Sequence, residues 1–370
     1  LAQDFARRGA HVTYVTRAQW YGEVPRLDGV VIKAVSANRP LYGPNGVRRL
    51  RPTLEFGWGV AAHFLRHRKD YDAVFIASFP FFSLIGVRLA LAGTRMPVVV
   101  SWVECWTGAF WRTYAGPING RIGALLQRLC IALTPVAIAD STFVARRLVA
   151  SGLRSVPRSI PGLLPGGLMV ADETTAPRHV LFAGRHIADK GVDLLPAIVS
   201  EVHDRYPELL FVITGDGPLT PWLRDAMRIA GLDHVVTFTG FVPAERLASL
   251  TTQAYCVLLP SRREGFGILA GSAAAYGAPV IVGAFPENAA VDLIEPGVNG
   301  IIVDPPCPEG FAEAISRILE AGATLRGSAK DWFRVTGSQK TMRAANALVA
   351  STLTEAIANA QRHGTAPVRP

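Results

Sequence analysis

Lysine is scarce in this chain: only 5 of its 38 basic residues are Lys and the rest are Arg. Cysteine is scarce too. Cys105, Cys130, Cys256 and Cys307 are scattered, with no CxxC pair and no His–Cys spacing suited to a metal. That excludes a zinc ribbon or a disulfide scaffold and leaves four reduced, mostly packed thiols, as expected of a cytosolic protein. Long apolar runs are also missing. The longest candidate, Ala73 to Val87, contains Pro80 and ends at Arg88, short of the roughly 18 to 20 apolar residues a membrane span needs; a strand followed by a helix start explains it better. No helix-turn-helix, zinc-finger or aromatic-basic RNA-binding pattern is present, so no nucleic-acid partner is expected. Disordered tracts are absent as well, since 49% of residues are apolar and 18% charged, a globular composition.

What is present is a chain of 370 residues, too long for one ordinary core, so two domains are expected. Residues 1–160 hold 21 Lys and Arg against 8 Asp and Glu, a surplus of 13 positive charges. Residues 161–370 hold 17 against 21, a deficit of 4. A basic half beside a mildly acidic one predicts different partners for each, with an anionic membrane surface or a phosphate-bearing acceptor suited to the basic half.

Leu1 to Arg8 reads as an amphipathic helix, Gly9 as its stop and Val12 to Thr16 as a strand. Helix before strand is how an α/β domain continues, so a strand and loop are expected upstream of Leu1. Strands follow at Val30 to Ala34, Asp72 to Ile76, Val98 to Trp102 and Val136 to Ala139. Helices are expected at Leu54 to Arg66, Phe82 to Leu91, Ile122 to Ala132 and Phe143 to Val149, the last capped by Ser141. An aromatic segment, VECWTGAFWRTYAGPINGRIG, carries Trp106, Phe110, Trp111 and Tyr114. The Pro- and Gly-rich stretch from Val156 to Ala176 marks a domain boundary. Beyond it the alternation restarts, with strands at 179–183, 210–214, 235–239, 254–259, 279–282 and 300–303. Helices lie between them at about 190–205, 218–230, 243–252, 267–276 and 308–321, and a last one at 341–360. Alternating strands and helices of this length imply an α/β protein with two parallel, doubly wound sheets.

One stretch organises the second half: LLPSRREGFGILAGSAAAYGAPVIV, Leu258 to Val282. A buried strand runs into a charged loop ending at Glu264. Gly265-Phe266-Gly267 then opens a small-residue helix. Backbone N–H groups at such a turn suit an anion, and a carboxylate in front of it suits sugar or ribose hydroxyls. An ordinary strand-to-helix crossover fits the same residues.

The segments FAGRHIADKGVDLL (182–195), VITGDGP (212–218), VTFTGFVP (236–243), LLPSRREGFG (258–267), YGAPVI (276–281) and PENAAVDLIEPGVNGIIVDP (286–305) resemble, in order, the motifs of glycosyltransferase family 4. Members of that family are retaining enzymes of GT-B fold, with two Rossmann-like domains facing a central cleft. DAVFIASFPFF, PVVVSWVECW and ADSTFVARRL fit its N-terminal domain. The resemblance implies an acceptor-side domain over 1–158, a linker over 159–177, a nucleotide-sugar domain over 178–335 and a C-terminal helix and tail over 336–370.

By that resemblance, Arg185 and Lys190 bind the donor diphosphate and Glu264 the donor sugar. The turn of Gly265, Phe266, Gly267 and Ile268 cradles phosphate and sugar, and Gly240, Phe241 and Val242 line the base pocket. No metal or other cofactor is expected, because fixed cations can stabilise the leaving diphosphate. The sequence departs from the family at two motif positions. Ser272 stands where the second Glu of E-x7-E holds the ribose, and Val103 stands where many relatives carry His. Glu104 and Trp106 are the remaining acceptor-side candidates. The implied activity is hexosyl transfer from a nucleotide-diphosphate sugar to a cell-envelope glycan or lipid-linked acceptor. It would take place in the cytoplasm, peripheral to the inner face of the membrane. Ser272 and Val103 also admit a catalytically weakened partner or scaffold subunit, and donor turnover without acceptor would mark an epimerase.

Overall fold

The computed structural model describes residues 1–41, 49–165 and 176–362. The chain forms two compact units, one comprising Leu1–Ile160 with the chain from Ala345, the other Pro161–Ala344. Most of the expected linker (residues 166–175), part of the loop after Asn38 and the tail beyond Arg362 lie outside the described residues.

In the first unit, α1 (Ala2–Arg7) leads to β1 (Val12–Arg17), which pairs in parallel with β2 (Val30–Ser36). A second parallel sheet runs in the order β3 (Val74–Ala77), β4 (Val98–Trp102), β5 (Val136–Ala139), β6 (Arg158–Ser159). The helices are α2 (Arg51–His67), α3 (Phe81–Ala90), α4 (Gly108–Ala115), α5 (Pro117–Ala132) and α6 (Thr142–Ala150). β4 reads Val-Val-Val-Ser-Trp and is buried at all but Ser101, as a strand covered on both faces must be. Ser141 caps α6, its hydroxyl accepting from the Val144 amide at 3.2 Å.

The second unit holds one parallel sheet of six strands. They are β7 (His179–Ala183), β8 (Leu210–Thr214), β9 (Val236–Gly240), β10 (Ala254–Leu259), β12 (Val280–Gly283) and β14 (Gly300–Val303), in the order β14-β12-β10-β7-β8-β9. Two further two-residue strands, β11 (Arg263–Glu264) and β13 (Glu287–Asn288), pair separately. The helices are α7 (Leu195–His203), α8 (Thr220–Ile229), α9 (Ala244–Thr252), α10 (Ile268–Ala273) and α11 (Pro308–Val335). Side chains of a strand alternate between faces, and the core divides accordingly. Val180, Phe182, Cys256 and Leu258 join one apolar cluster with Ile198 and Phe311, while Leu181, Val257 and Leu259 join another with Ala273 and Phe333.

Two expectations need correction, and the aromatic segment proves to be helical. Thr107 caps it by accepting from the Phe110 amide at 3.1 Å, α4 follows, and Gly116 with φ of 81° ends it. The helix expected to stop at 321 does break, at Gly322, but then resumes to Val335. Leu325, Ala329, Trp332 and Phe333, spaced at helical intervals, are buried in the second unit, and that packing restores the helix beyond its glycine. The segment expected as helix over 267–276 is α-helical only to Ala273 and tightens to a 3-10 turn over Ala274–Tyr276. The last helix, α12 (Met342–Arg362), returns to the first unit. There Arg158 of β6 donates to Thr352 Oγ1 at 3.1 Å and grips the Glu355 carboxylate.

Candidate active site

Numbered from β7, the six-stranded sheet has the order 3-2-1-4-5-6 read from β9. The winding direction reverses between β7 and β10. Their following loops therefore diverge and leave a crevice at the carboxyl ends, where ligands of open α/β sheets bind. The β7 loop carries Arg185, His186, Asp189 and Lys190; the β10 loop carries Ser261, Arg262, Arg263 and Glu264. The two loops are 74 residues apart in sequence and bonded face to face.

Lys190 Nζ donates to Glu264 Oε1 at 2.5 Å, and Ser261 Oγ donates to the same oxygen at 2.9 Å. Both members of the pair are largely shielded, with side-chain exposures of 23% and 15%, so the contact is worth more than a solvated surface bridge. Around it, Arg262 makes a two-pronged pair with Asp193, at 2.6 and 2.7 Å. Arg263 reaches Asp189 Oδ2 through Nε and Nη2 at 3.1 and 2.7 Å. The Arg262 amide also donates to the Asp189 carbonyl at 2.9 Å. This close approach needs Gly191: its φ is +66°, and a Cβ there would lie 2.0 Å from the Pro260 carbonyl oxygen.

A third loop joins on the β8 side. The His186 amide donates to the Asp216 carbonyl, and the Leu219 amide donates back to the His186 carbonyl, each at 3.0 Å. Asp216 Oδ1 accepts from the Gly217 amide and from Thr220 Oγ1, both at 2.7 Å, and these bonds hold its carboxyl below the usual range. Thr220 has spent its proton on Asp216, so at 2.8 Å from His186 Nδ1 it must accept. His186 therefore carries its proton on Nδ1. Its Nε2 is buried without a hydrogen-bond partner. Burial pushes the imidazole below its ordinary value, with Asp216 opposing. The GDGP residues thus serve as a turn that clamps the Arg185 loop.

Arg185 itself is exposed and, among the described residues, its side chain makes no hydrogen bond or ion pair. The glycine turn follows Glu264. Gly267 has φ of +86° and starts α10, and the amides of that first turn have no partner inside the helix. β11 pairs Glu264 with Asn288 of β13. Asn288 is fully buried, donates to the Gly283 carbonyl at 2.9 Å and accepts from the Ala290 amide at 3.0 Å, so the carboxylate rides on a fixed rail. Phe266 is buried in the core with Leu259 and Ala270, and Ile268 is exposed. Ser272 is buried and its hydroxyl faces the Leu269 carbonyl of its own helix at 3.4 Å. At the end of β9, Gly240 accepts from the Gly215 amide at 2.8 Å. Phe241 projects into solvent at 87% exposure, next to half-buried Val242.

The first unit holds Glu104 and Trp106, and they are bonded to each other: the indole Nε1 donates to Glu104 Oε2 at 2.5 Å. The Trp106 ring lies 4.5 Å from that of Trp111 and 5.0 Å from those of Phe110 and Tyr114. Gln127 brackets its backbone, accepting from the amide at 3.0 Å and donating to the carbonyl at 2.8 Å. Val103 beside them is exposed. Asp140, at the carboxyl end of β5, accepts only a long bond from Ser101 Oγ, at 3.4 Å. Burial pushes its carboxyl up to about 6. Motif reading missed Asp189, Asp193, Arg262, Arg263 and Asp140, since pairs 69 to 74 residues apart leave no local spacing to find. All five lie inside segments that carry the resemblance.

The family of "Glycosyl transferases group 1" matches residues 177–321, and the family "Glycosyl transferase 4-like domain" matches residues 1–161. Among curated relatives, an uncharacterised glycosyltransferase of Methanocaldococcus jannaschii is 36% identical over 142 residues, 38% of this chain and 36% of that protein. Alpha-D-kanosaminyltransferase of Streptomyces kanamyceticus is 36% identical over 141 residues, again 38% and 36%. The aligned region spans just over a third of each of these relatives. Among solved structures, sucrose-phosphate synthase from Thermosynechococcus elongatus superposes with a TM-score of 0.74 at 19% identity, covering 96% of this chain and 92% of the other. Anabaena HepE in complex with UDP gives 0.71 at 17% identity, covering 94% and 100%. WaaG, a glycosyltransferase involved in lipopolysaccharide biosynthesis, gives 0.67 at 16%, covering 93% of each. The fold is GT-B, and the chain carries a glycosyl transferase 4-like domain followed by a glycosyl transferases group 1 domain.

Proposed function

We propose that this chain is a retaining glycosyltransferase that moves a sugar from a nucleotide-diphosphate donor to a cell-envelope glycan or lipid-linked acceptor. The observation that carries the reading is the Lys190–Glu264 pair at 2.5 Å, set at the switch point of the sheet with unpaired Arg185 on the same loop. Two cations there suit a diphosphate. As the bond to the anomeric carbon breaks, the leaving group gains charge, and a cation already fixed in place stabilises it without reorganisation. Lys190 is held by Glu264; Arg185 is free to swing onto the phosphates. Glu264, anchored by Ser261 and the β11–β13 rail, is placed to accept from hydroxyls of the donor sugar. The acceptor proton passes to the departing phosphate, which needs no separate base. Exposed Phe241 offers a face on which a base can stack.

The rival reading, a partner or scaffold subunit, drew on Ser272 and Val103; the retained Lys190–Glu264 pair and the open Arg185 favour the enzyme. Among the described residues no helix is long and apolar enough to cross a membrane. In this reading a lipid-linked acceptor is met at the cytoplasmic face of the membrane. The test is incubation of the full chain with UDP- and GDP-sugars and an acceptor extract, with the anomeric configuration of the product read by NMR. Transfer with retention supports the reading. Inversion, or neither transfer nor hydrolysis with any donor, overturns it.

A further inference from the structure

Glu104 and Asp140 are consecutive carboxylates in the sequence, and the 35 residues between them contain none. That acid-free stretch contains the helical hairpin α4–α5. The hairpin is tight because α5 meets α4 through glycine: a Cβ on Gly123 would sit 2.4 Å from the Trp111 ring. Trp111 is buried and donates from its indole to Gln127 Oε1 at 3.1 Å. The inner face of the hairpin is thus a packed core. The outer face is not.

Along α5, Ile118, Ile122, Leu125 and Leu129 are exposed at 71%, 53%, 68% and 44%. Their spacing of four, three and four residues aligns them in one apolar stripe. Arg121 and Arg128 lie seven apart on the next line round the helix. Across from them Arg112 projects from α4, and the three arginines line an open groove of about 400 Å³ floored by Gly108, Ala109 and Ala124. None of the three makes an ion pair or a side-chain hydrogen bond among the described residues. An apolar ridge beside a row of free cations, with no carboxylate on the hairpin, matches the boundary between acyl chains and anionic headgroups.

We propose that the outer face of α4–α5 is a membrane-docking surface. Ile118, Ile122, Leu125 and Leu129 enter the interfacial layer of an anionic bilayer, and Arg112, Arg121 and Arg128 hold lipid phosphates in and around the groove. The inference rests on the reading of a lipid-linked acceptor and supplies the surface by which the enzyme would reach it. A purely solvated helix would not expose four large aliphatic side chains in line, and a second copy of the chain would bring its own arginines onto these.

The test is co-sedimentation of the full chain with vesicles of phosphatidylcholine alone and of phosphatidylcholine mixed one-to-one with phosphatidylglycerol. The wild type should bind the anionic vesicles only, and added salt should weaken binding. The double variants Arg121→Gln/Arg128→Gln and Ile122→Ser/Leu125→Ser should each lose at least about tenfold in vesicle affinity, while retaining UDP binding by calorimetry and the wild-type melting temperature. All four side chains are exposed, so folding is not at stake. Failure to bind anionic vesicles, or equal binding by wild type and both variants, overturns the proposal. So does a dimer in sedimentation that Ile122→Ser/Leu125→Ser converts to monomer, which would assign the face to a second copy. Absence of binding of both UDP and GDP by the wild type would instead strike the glycosyltransferase reading, so the two failures are separable.

Discussion

Lys190, Arg262 and Arg263 in the second unit each hold a carboxylate, at 2.5, 2.6 and 2.7 Å, whereas Arg112, Arg121 and Arg128 in the first unit hold none among the described residues. The charge is the same, and the surroundings decide what it does. Where cations are matched by Asp189, Asp193 and Glu264, they weld two loops into a rigid crevice wall. Arg185 is then the exception in that wall, a cation left open, which is what a charged ligand needs. Where acids are missing over a whole hairpin, cations stay available to a partner the size of a surface. The first unit shows the converse as well: among the described residues the Asp140 carboxylate meets no cation, only the hydroxyl of Ser101.

The wall of the second unit should break most severely at Gly191. Gly191→Ala combines a left-handed backbone with a 2.0 Å approach to Pro260. It should cost about 3 kcal/mol in urea unfolding and abolish nucleotide binding with it. Asp140→Asn should act in the opposite direction. Burial pushes the folded carboxyl up to about 6 from its ordinary 3.8, so ionising it in the folded state is uphill. The penalty is absent below pH 4, grows through pH 6 and is complete above it. The Asn variant should therefore be more stable than wild type by up to about 2 kcal/mol at pH 8 and equal to it at pH 4, by urea melts across that range. The paired and unpaired arginines should differ more modestly. Asp189→Ala removes the two contacts of the half-buried Arg263 guanidinium at 3.1 and 2.7 Å and should lose about 1–2 kcal/mol. Arg128→Gln has no partner to lose and should stay within about 0.5 kcal/mol of wild type. Equal losses would erase the distinction between the two sets.

Much of the frame was legible in the residues. Apolar runs such as Val180–Ala183 and Ala254–Leu259 read as strands buried on both faces, and Gly231 and Gly277 mark the stops of α8 and of the turn over Ala274–Tyr276. Once the strand order places β7 beside β10, the meeting of Lys190 and Glu264 follows from the topology. The unreadable part has two physical sources. Two-residue strands such as Arg263–Glu264 have no periodicity, and their pairing is decided by what lies across from them. Ion pairs such as Arg262–Asp193 depend on side chains brought together by the whole sheet. The α4 helix differs, because its signals are local: Thr107 is its cap and Gly116 its stop.

The central claim is that the crevice beside Lys190 and Glu264 binds a nucleotide diphosphate, with Arg185 closing on the phosphates. Isothermal titration of UDP and GDP into the full chain and into Arg185→Ala tests it most directly. The account predicts binding of at least one nucleotide by the wild type and a loss of about tenfold or more in the variant, with an unchanged unfolding transition because the Arg185 side chain makes no hydrogen bond or ion pair among the described residues. Binding that is indifferent to Arg185, or no binding of either nucleotide at millimolar concentration, would contradict it.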